Sequence, residues 1–255
     1  MQRAIAGRPY TEAITQMIST VAGAGDVEHT LLRPNVGVRQ SILLTITSNR
    51  GLCGAYNASV LRAALEQQRK LQAAGVTPAL EMVGKKGVGY MKFLRQPLAE
   101  TITDVEDRIA FARVAAMAER YIRAYETSEI ARVDVAYMRF HSAGVQRPTV
   151  AQLLPIEPPK AREQAAPRRR VNFEFSPPPE ALLGRLIPQT VKIRLYQYFN
   201  DAIVSEQVMR MVAMKAATEA AGDMIRDLSR KYNRARQTQI TMELADIVGG
   251  AAAVE

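Results

Sequence analysis

The sequence predicts an α/β protein. A mainly parallel sheet, covered by helices on both faces, is joined to a terminal helix too long for any compact core. Two observations carry this. Between residues 38 and 155, short β-rich apolar runs alternate with amphipathic helical stretches, the pattern of βαβ crossovers. From Val191 to Val248 the chain has no proline and a single glycine, Gly222, before it reaches Gly249-Gly250. An unbroken helix there would run about 85–90 Å, several times an ordinary globular helix. Such an element is a shaft, an arm or half of a coiled coil.

Taken in order, residues 1–23 read as a helix with Tyr10, Ile14, Met17 and Val21 on a narrow seam, ended by Gly23 and Gly25. Ser41 to Ser48 is a nearly continuous apolar run, the mark of a buried strand. A glycine-containing turn leads into a helix from Ala55 to Ala74, closed by Gly75. Pro78 to Val83 reads as a second strand, Val88 to Leu94 as a short helix, and Ala99 to Val105 as a weak third strand. Asp107 to Glu126 is strongly amphipathic. Arg132 to Phe140 alternates, with Val133, Val135 and Tyr137 on one side and Ala136, Met138 and Phe140 on the other; Pro148 to Pro155 is a last strand. Prolines then crowd the stretch up to Pro179 around Arg168-Arg169-Arg170, a linker in which Phe173 and Phe175 alternate about Glu174 as a short edge strand would. Pro188 is expected to kink or delay the long helix.

Composition narrows the function classes. The chain has 255 residues, 47% hydrophobic and 23% charged, with a formal net charge of +9. That is an ordinary balance for a folded chain, and no stretch has the length of uncharged apolar sequence needed to span a bilayer. Cys53 is the single cysteine, which excludes an intrachain disulfide and a cysteine metal cage. The positive charge fits nucleic acid, an anionic membrane or an acidic protein partner. The N-terminus lacks a secretory or transit pattern, so a cytoplasmic setting is the default.

Catalytic motifs are wanting. Thr47-Ser-Asn-Arg-Gly-Leu-Cys-Gly-Ala-Tyr-Asn57 sits where a strand passes to a helix, a position that cradles phosphates in doubly wound folds. Gly51 and Gly54 do not make the dinucleotide fingerprint, and no Gly-Lys-Ser/Thr is present. Gly84-Lys85-Lys86-Gly87-Val88-Gly89 is a second glycine-rich turn, and tight-turn geometry is the favoured reading of both. His29 and His141 lie in loop positions as surface histidines without a partner at metal-ligand spacing, and Ser48 lacks a nucleophile elbow. Asp104, Glu106 and Asp107 look like the N-cap region of the helix that follows. The seam Met214, Ala217, Ala221, Met224 and Leu228 is built of small or flexible residues, beside the cations Arg226, Arg230, Lys231, Arg234 and Arg236. The greasy tail Ile247 to Val254 suggests a tip sheathed by a partner.

Three blocks closely resemble the gamma subunit of rotary F-type ATP synthases: Glu206 to Thr218, Tyr232 to Thr241 and Glu243 to Val254. Thr47 to Asn57 is similar to that family's other signature, and Ala6-Gly-Arg-Pro-Tyr10 fits its lower N-terminal helix. The resemblance implies N- and C-terminal helices in an antiparallel coiled coil, with a Rossmann-like α/β domain inserted between them. The division would be a coiled-coil helix at 1–25, a foot domain at 38–155, a linker at 156–180 and the long helix at 181–255. It further implies a rotor with no catalytic residues, cofactor or metal of its own. This rotor would couple ion-driven c-ring rotation to ATP synthesis in the alpha-beta hexamer, with epsilon and the c-ring meeting the foot. By the same resemblance Arg236 and Gln237 hydrogen-bond a beta-subunit loop, and Arg210, Met214, Lys215, Thr241 and Glu243 belong to the same stator-coupling region. Phe173 and Phe175 fall on foot positions that meet epsilon and the ring; as phenylalanines they supply no tyrosine-type hydroxyl contact. Lack of the chloroplast-type cysteine insert favours a bacterial form, peripheral on the cytoplasmic side of the cell membrane, with no nucleic-acid partner. Family members begin about forty residues earlier, so the first helix is expected to be incomplete. Either the start codon is assigned late, which is favoured, or the rotor is shortened.

The alternatives are an α/β enzyme using the Gly51–Gly54 turn for a nucleotide, and a basic coiled-coil nucleic-acid binder. Nucleotide binding by the isolated chain would support the first, and affinity falling steeply with salt the second.

Overall fold

The computed structural model describes residues 29–105, 107–156 and 179–252. The expectations for the first helix at 1–25 and for most of the linker, including Phe173 and Phe175, lie outside the described residues. The chain divides into two units, Met1–Arg210 and Met211–Glu255.

In the first unit a five-stranded sheet has the order β3-β2-β1-β4-β5. Its strands are β1 (Gln40–Ile46), β2 (Thr77–Val83), β3 (Glu100–Ile102), β4 (Arg132–Ser142) and β5 (Val145–Leu154). β1 pairs in parallel with both β2 and β4, and β2 with β3, while β5 returns antiparallel along β4. The parallel crossovers are made by helices α1 (Tyr56–Ala73), α2 (Lys85–Phe93) and α3 (Phe111–Glu126).

Alternation along the strands sends side chains to two cores. One face carries Ile42, Leu44 and Ile46 of β1 with Val133, Val135 and Tyr137 of β4, packed against α3 and the start of the long helix α4 (Pro179–Ala252). The other face carries Leu43, Leu80 and Ala136 against Ala64 of α1, and Met82 against Leu61 and Met91. A mainly parallel sheet covered on both sides is thus the observed architecture, which explains why β1 reads as an unbroken apolar run.

The long helix is seated on this sheet over its first eight turns. Leu183, Ile187, Val191, Leu195, Phe199 and Ala202 recur at three- and four-residue spacing and are all buried. Tyr198 stacks on Tyr137 at 4.5 Å, Tyr196 meets Phe111 edge-on at 5.4 Å, and the Ser205 hydroxyl donates to the Met138 carbonyl. Pro188 does not delay the helix, which already begins at Pro179; it lies inside it. The missing N–H leaves only the carbonyl of Gly184 without its helical donor. Burial of Ile187 and Val191 on either side outweighs that loss.

Five further expectations are corrected. α3 begins at Phe111 with Ala110 as N-cap and no side-chain cap, because Asp104 pairs with Arg113 and Asp107 with Arg50 instead of capping. β3 is shorter than read, and α2 starts three residues earlier than Val88. His29 is half-buried, not a surface residue: its Nδ1 accepts from the Leu31 amide at 3.2 Å and caps a 3-10 turn, Thr30–Leu32. Burial holds the His29 imidazole below its ordinary pKa, against the opposing charge of Glu126. His141 is exposed on β4, not in a loop.

A buried carboxylate sits where β2 meets α3. Glu81 accepts from the Tyr121 hydroxyl at 2.5 Å and from Arg120 at 2.8 Å, and Arg120 also pairs with Glu100. Burial raises the Glu81 pKa, opposed by the Tyr121 hydrogen bond and the Arg120 charge. A raised native pKa means that the folded state holds this proton more tightly than the unfolded chain. Its stabilising contribution is therefore complete below the ordinary glutamate range and is lost as pH rises through the raised value. Glu81→Gln should gain stability relative to wild type as pH climbs from about 4 to about 7, read from urea midpoints at each pH; parallel midpoint curves for the two proteins would refute it.

Candidate functional site

The turn after β1 lies at the point where neighbouring crossovers diverge, β2 on one side of β1 and β4 on the other. In open α/β sheets that crevice is the usual ligand position. Here the chain fills it. Ser48 N–H donates to Asn57 Oδ1 at 3.0 Å, Lys85 N–H to Asn49 Oδ1 at 3.0 Å, and Gly87 N–H to Thr47 Oγ1 at 3.0 Å. These three backbone donors, which a phosphate would need, are spent on side chains of the same turn.

The two glycine-rich turns form one knot. Thr47 Oγ1 also donates to the Val83 carbonyl at 2.6 Å, which draws the backbones together. A Cβ on Gly84 would collide with the Thr47 carbonyl and lie 2.8 Å from the Ser48 carbonyl oxygen, and its φ of 95° already excludes most side chains. A Cβ on Gly87 would collide with Met82 and Thr47. Tight-turn geometry therefore accounts for Gly84 and Gly87 of the second motif.

The long helix closes the crevice from the other side. Met209 packs on Cys53, Tyr56, Val60 and Met138. Arg210 donates through Nε to the Gly51 carbonyl at 3.3 Å, through Nη1 to Gln207 at 2.9 Å and through Nη2 to Glu206 at 2.5 Å. Gln207 donates to Asp107 Oδ1 at 2.7 Å, the same oxygen that accepts from Arg50 at 2.6 Å. The Tyr56 hydroxyl is pushed well above its ordinary pKa by burial, with Glu206 adding to the effect. Thus the turn at 47–57 and the start of the block at 206–218, the two most distinctive stretches of the sequence, are in contact. Arg50, Asp107, Glu206 and Gln207 were not singled out as site residues by sequence reasoning. Arg50, next to Gly51, was the available signal, but its partner lies 57 residues away along the chain.

These links differ in worth. The Arg50–Asp107 pair is 61% and 62% exposed, so it falls in the range of about 0.2–1 kcal/mol for surface pairs. The Arg210–Glu206 pair is only 17% and 14% exposed, and removing one partner leaves a largely desolvated charge.

In the second unit residues 211–252 are helical, and none of residues 211–250 is buried. Met214, Met224, Leu228, Tyr232 and Met242 are exposed along it. Its ion pairs are local: Lys215 with Glu219, Asp223 with Arg226, and Asp227 with Arg230 and Lys231. Among the expected coupling residues, the Thr241 hydroxyl donates to the Gln237 carbonyl and Glu243 accepts from Gln239, both at 2.9 Å. The side chains of Arg236 and Gln237 have no hydrogen-bond or ion-pair partner among the described residues. Lys215 and Arg236 stand 21 positions apart, about 31 Å along the helix.

Comparison with known proteins places these features in context. Residues 1–254 match the family model described as ATP synthase. The chain is 41% identical over 260 residues to an ATP synthase gamma chain of Rhodopirellula baltica, covering all of this chain and 88% of that one. It is 35% identical over 266 residues to the gamma chain of Saccharopolyspora erythraea, covering 99% and 86%. Among solved structures, a mitochondrial ATP synthase of Euglena gracilis contains a chain with a TM-score of 0.60 at 17% identity, covering 99% of this chain and 92% of that one. The central stalk and c-ring of the Tetrahymena thermophila enzyme contains another, with a TM-score of 0.58 at 21% identity over 85% and 92%. At those identities the structural likeness speaks for the fold.

Two outcomes are expected from the knot and its clamp. Gly84→Ala should cost about 3 kcal/mol or more, the range of backbone clash and strain, and Arg210→Ala about 2–3 kcal/mol, against less than about 1 for Asp107→Ala. Urea denaturation of the full chain checks this order; an Asp107 effect equal to that of Arg210 would refute it.

Proposed function

This chain belongs to the ATP synthase gamma-chain family, and from that membership we propose how its parts serve the motor. It is a subunit of the F-type ATP synthase complex, the rotor of the central stalk. The sheet domain acts as the foot, which takes up torque at the c-ring and epsilon. The turn at Gly51, clamped by Arg210, transmits that torque into the helix. The helix beyond Met211 turns inside the hexamer of alpha and beta subunits and drives the beta sites in sequence, without performing chemistry itself. Met214 and Lys215 form the lower coupling station, and Arg236, Gln237, Thr241 and Glu243 the upper one. Arg210 joins the lower station through its hold on the Gly51 turn. Phe173 and Phe175 serve the foot contact with epsilon and the ring. The complex is held on the cytoplasmic face of a bacterial membrane, which this subunit reaches only through the c-ring.

The observation that carries this reading is the contrast along one helix. Its apolar stripe is buried from Leu183 to Ala202, yet farther along Met214, Met224 and Leu228 are exposed. An apolar row of that length is supported by a sheath, which an encircling hexamer supplies. The side chains of Arg236 and Gln237, lacking partners among the described residues, are suited to reach across to a stator loop.

Co-expression with alpha and beta subunits should yield a complex containing this chain. Arg236→Ala combined with Gln237→Ala should leave assembly intact and lower ATP synthesis about tenfold, the loss of about 1.4 kcal/mol of coupling. Elution of the chain as a monomer that hydrolyses ATP alone would overturn the proposal.

A further inference from the structure

A groove of about 510 Å³ runs between α1 and α2, on the face of the first unit opposite the long helix. Its floor is apolar, with Leu61 buried and Leu65 half-buried. Its rim carries Arg62 and Arg69 from α1 and Lys86 and Tyr90 from α2. None of these three cations has an ion pair among the described residues. Glu66 is the one acidic residue lining the groove, and it is already paired with Lys70 at 2.6 Å. The Lys70 hydrogen bond and charge hold the Glu66 carboxyl below its usual range, so it stays ionised and committed. The net field in the groove is positive.

We propose that this groove is a docking site for an acidic amphipathic helix of a partner protein. The spacing supports the choice. Arg62 and Arg69 are seven residues apart, about 10.5 Å or two turns along α1, and so stand on one face of it. They match carboxylates two turns apart on a facing helix. The apolar residues between those carboxylates then lie on Leu61 and Leu65, in the helix-in-groove mode. A nucleic-acid backbone would meet the cations but leave the leucine floor without a use. The site goes beyond the rotor reading, because neither the clamp at Arg210 nor the stations on the long helix involve it.

The test places benzoylphenylalanine at Ala58, an exposed position of the groove lining, in the full chain expressed with its complex. Cells are irradiated, the chain is purified by its tag, and the adduct is mapped by mass spectrometry. The expected product is one segment of a partner protein with acidic residues two turns apart and apolar residues between them. Arg62→Glu with Arg69→Glu should reduce its yield at least about fivefold, as charge reversal at complementary pairs does, with the thermal midpoint unchanged. Several results would overturn the proposal: a yield indifferent to that reversal, an adduct to a basic segment, to lipid or to nucleic acid, or no adduct. Co-elution of alpha and beta subunits scores the rotor reading separately in the same preparation.

Discussion

Burial of one stripe of the long helix against one face of the sheet is the interaction on which the first unit depends. Leu183, Ile187, Val191, Leu195, Phe199 and Ala202 are all removed from water. At roughly 1.5–3 kcal/mol for each large apolar side chain, the gross gain exceeds that of any exposed ion pair by an order of magnitude. The sheet needs this cover as well. Val133, Val135 and Tyr137 form a face that would be exposed without the helix. The polar contacts at the root, such as Lys192 with Glu119 and Ser205 with Met138, set rotation and register more than they add stability.

Above that stripe the design changes from burial to clamping. The crevice at the end of β1 would accept a ligand in many α/β sheets, and here its donors are turned inward by Thr47, Asn49 and Asn57. The helix then lies over it through Met209 and Arg210. The chain itself occupies the usual ligand position. The forked Arg210 guanidinium suits this use, since it holds a backbone carbonyl and two side chains at once. A lysine could hold them only as a point charge.

Much of this was legible in the residues. Ser41 to Ser48, Pro78 to Val83 and Arg132 to Phe140 stand as β1, β2 and β4 because apolar runs of that length suit only strands covered on both faces. The long helix was legible because 58 residues without proline leave few alternatives. Boundaries were misread where a tertiary partner outcompeted a local rule. Asp107 suits a helix N-cap by the dipole, but Arg50 and Gln207 claim its oxygen, so α3 starts at Phe111. Pro188 was expected to kink or delay the helix, but the helix begins nine residues before it, with Ile187 and Val191 buried on either side. His29 looked like a surface loop residue because its cap on Thr30–Leu32 depends on a segment folded beside α3.

By itself, then, the sequence determined the α/β class, the order of the elements, the unbroken helix and the family, since periodicity, proline placement and local motifs are properties of neighbouring residues. It also made the glycines of both turns conspicuous without saying why they were needed. The tertiary structure decided that Gly84 and Gly87 are required by Thr47, that Arg210 grips Gly51, and that Arg62, Arg69 and Lys86 border one groove. Each of those facts joins residues far apart in the chain. Contacts of that kind arise only when burial of the apolar faces has brought the elements together, and no local pattern encodes them.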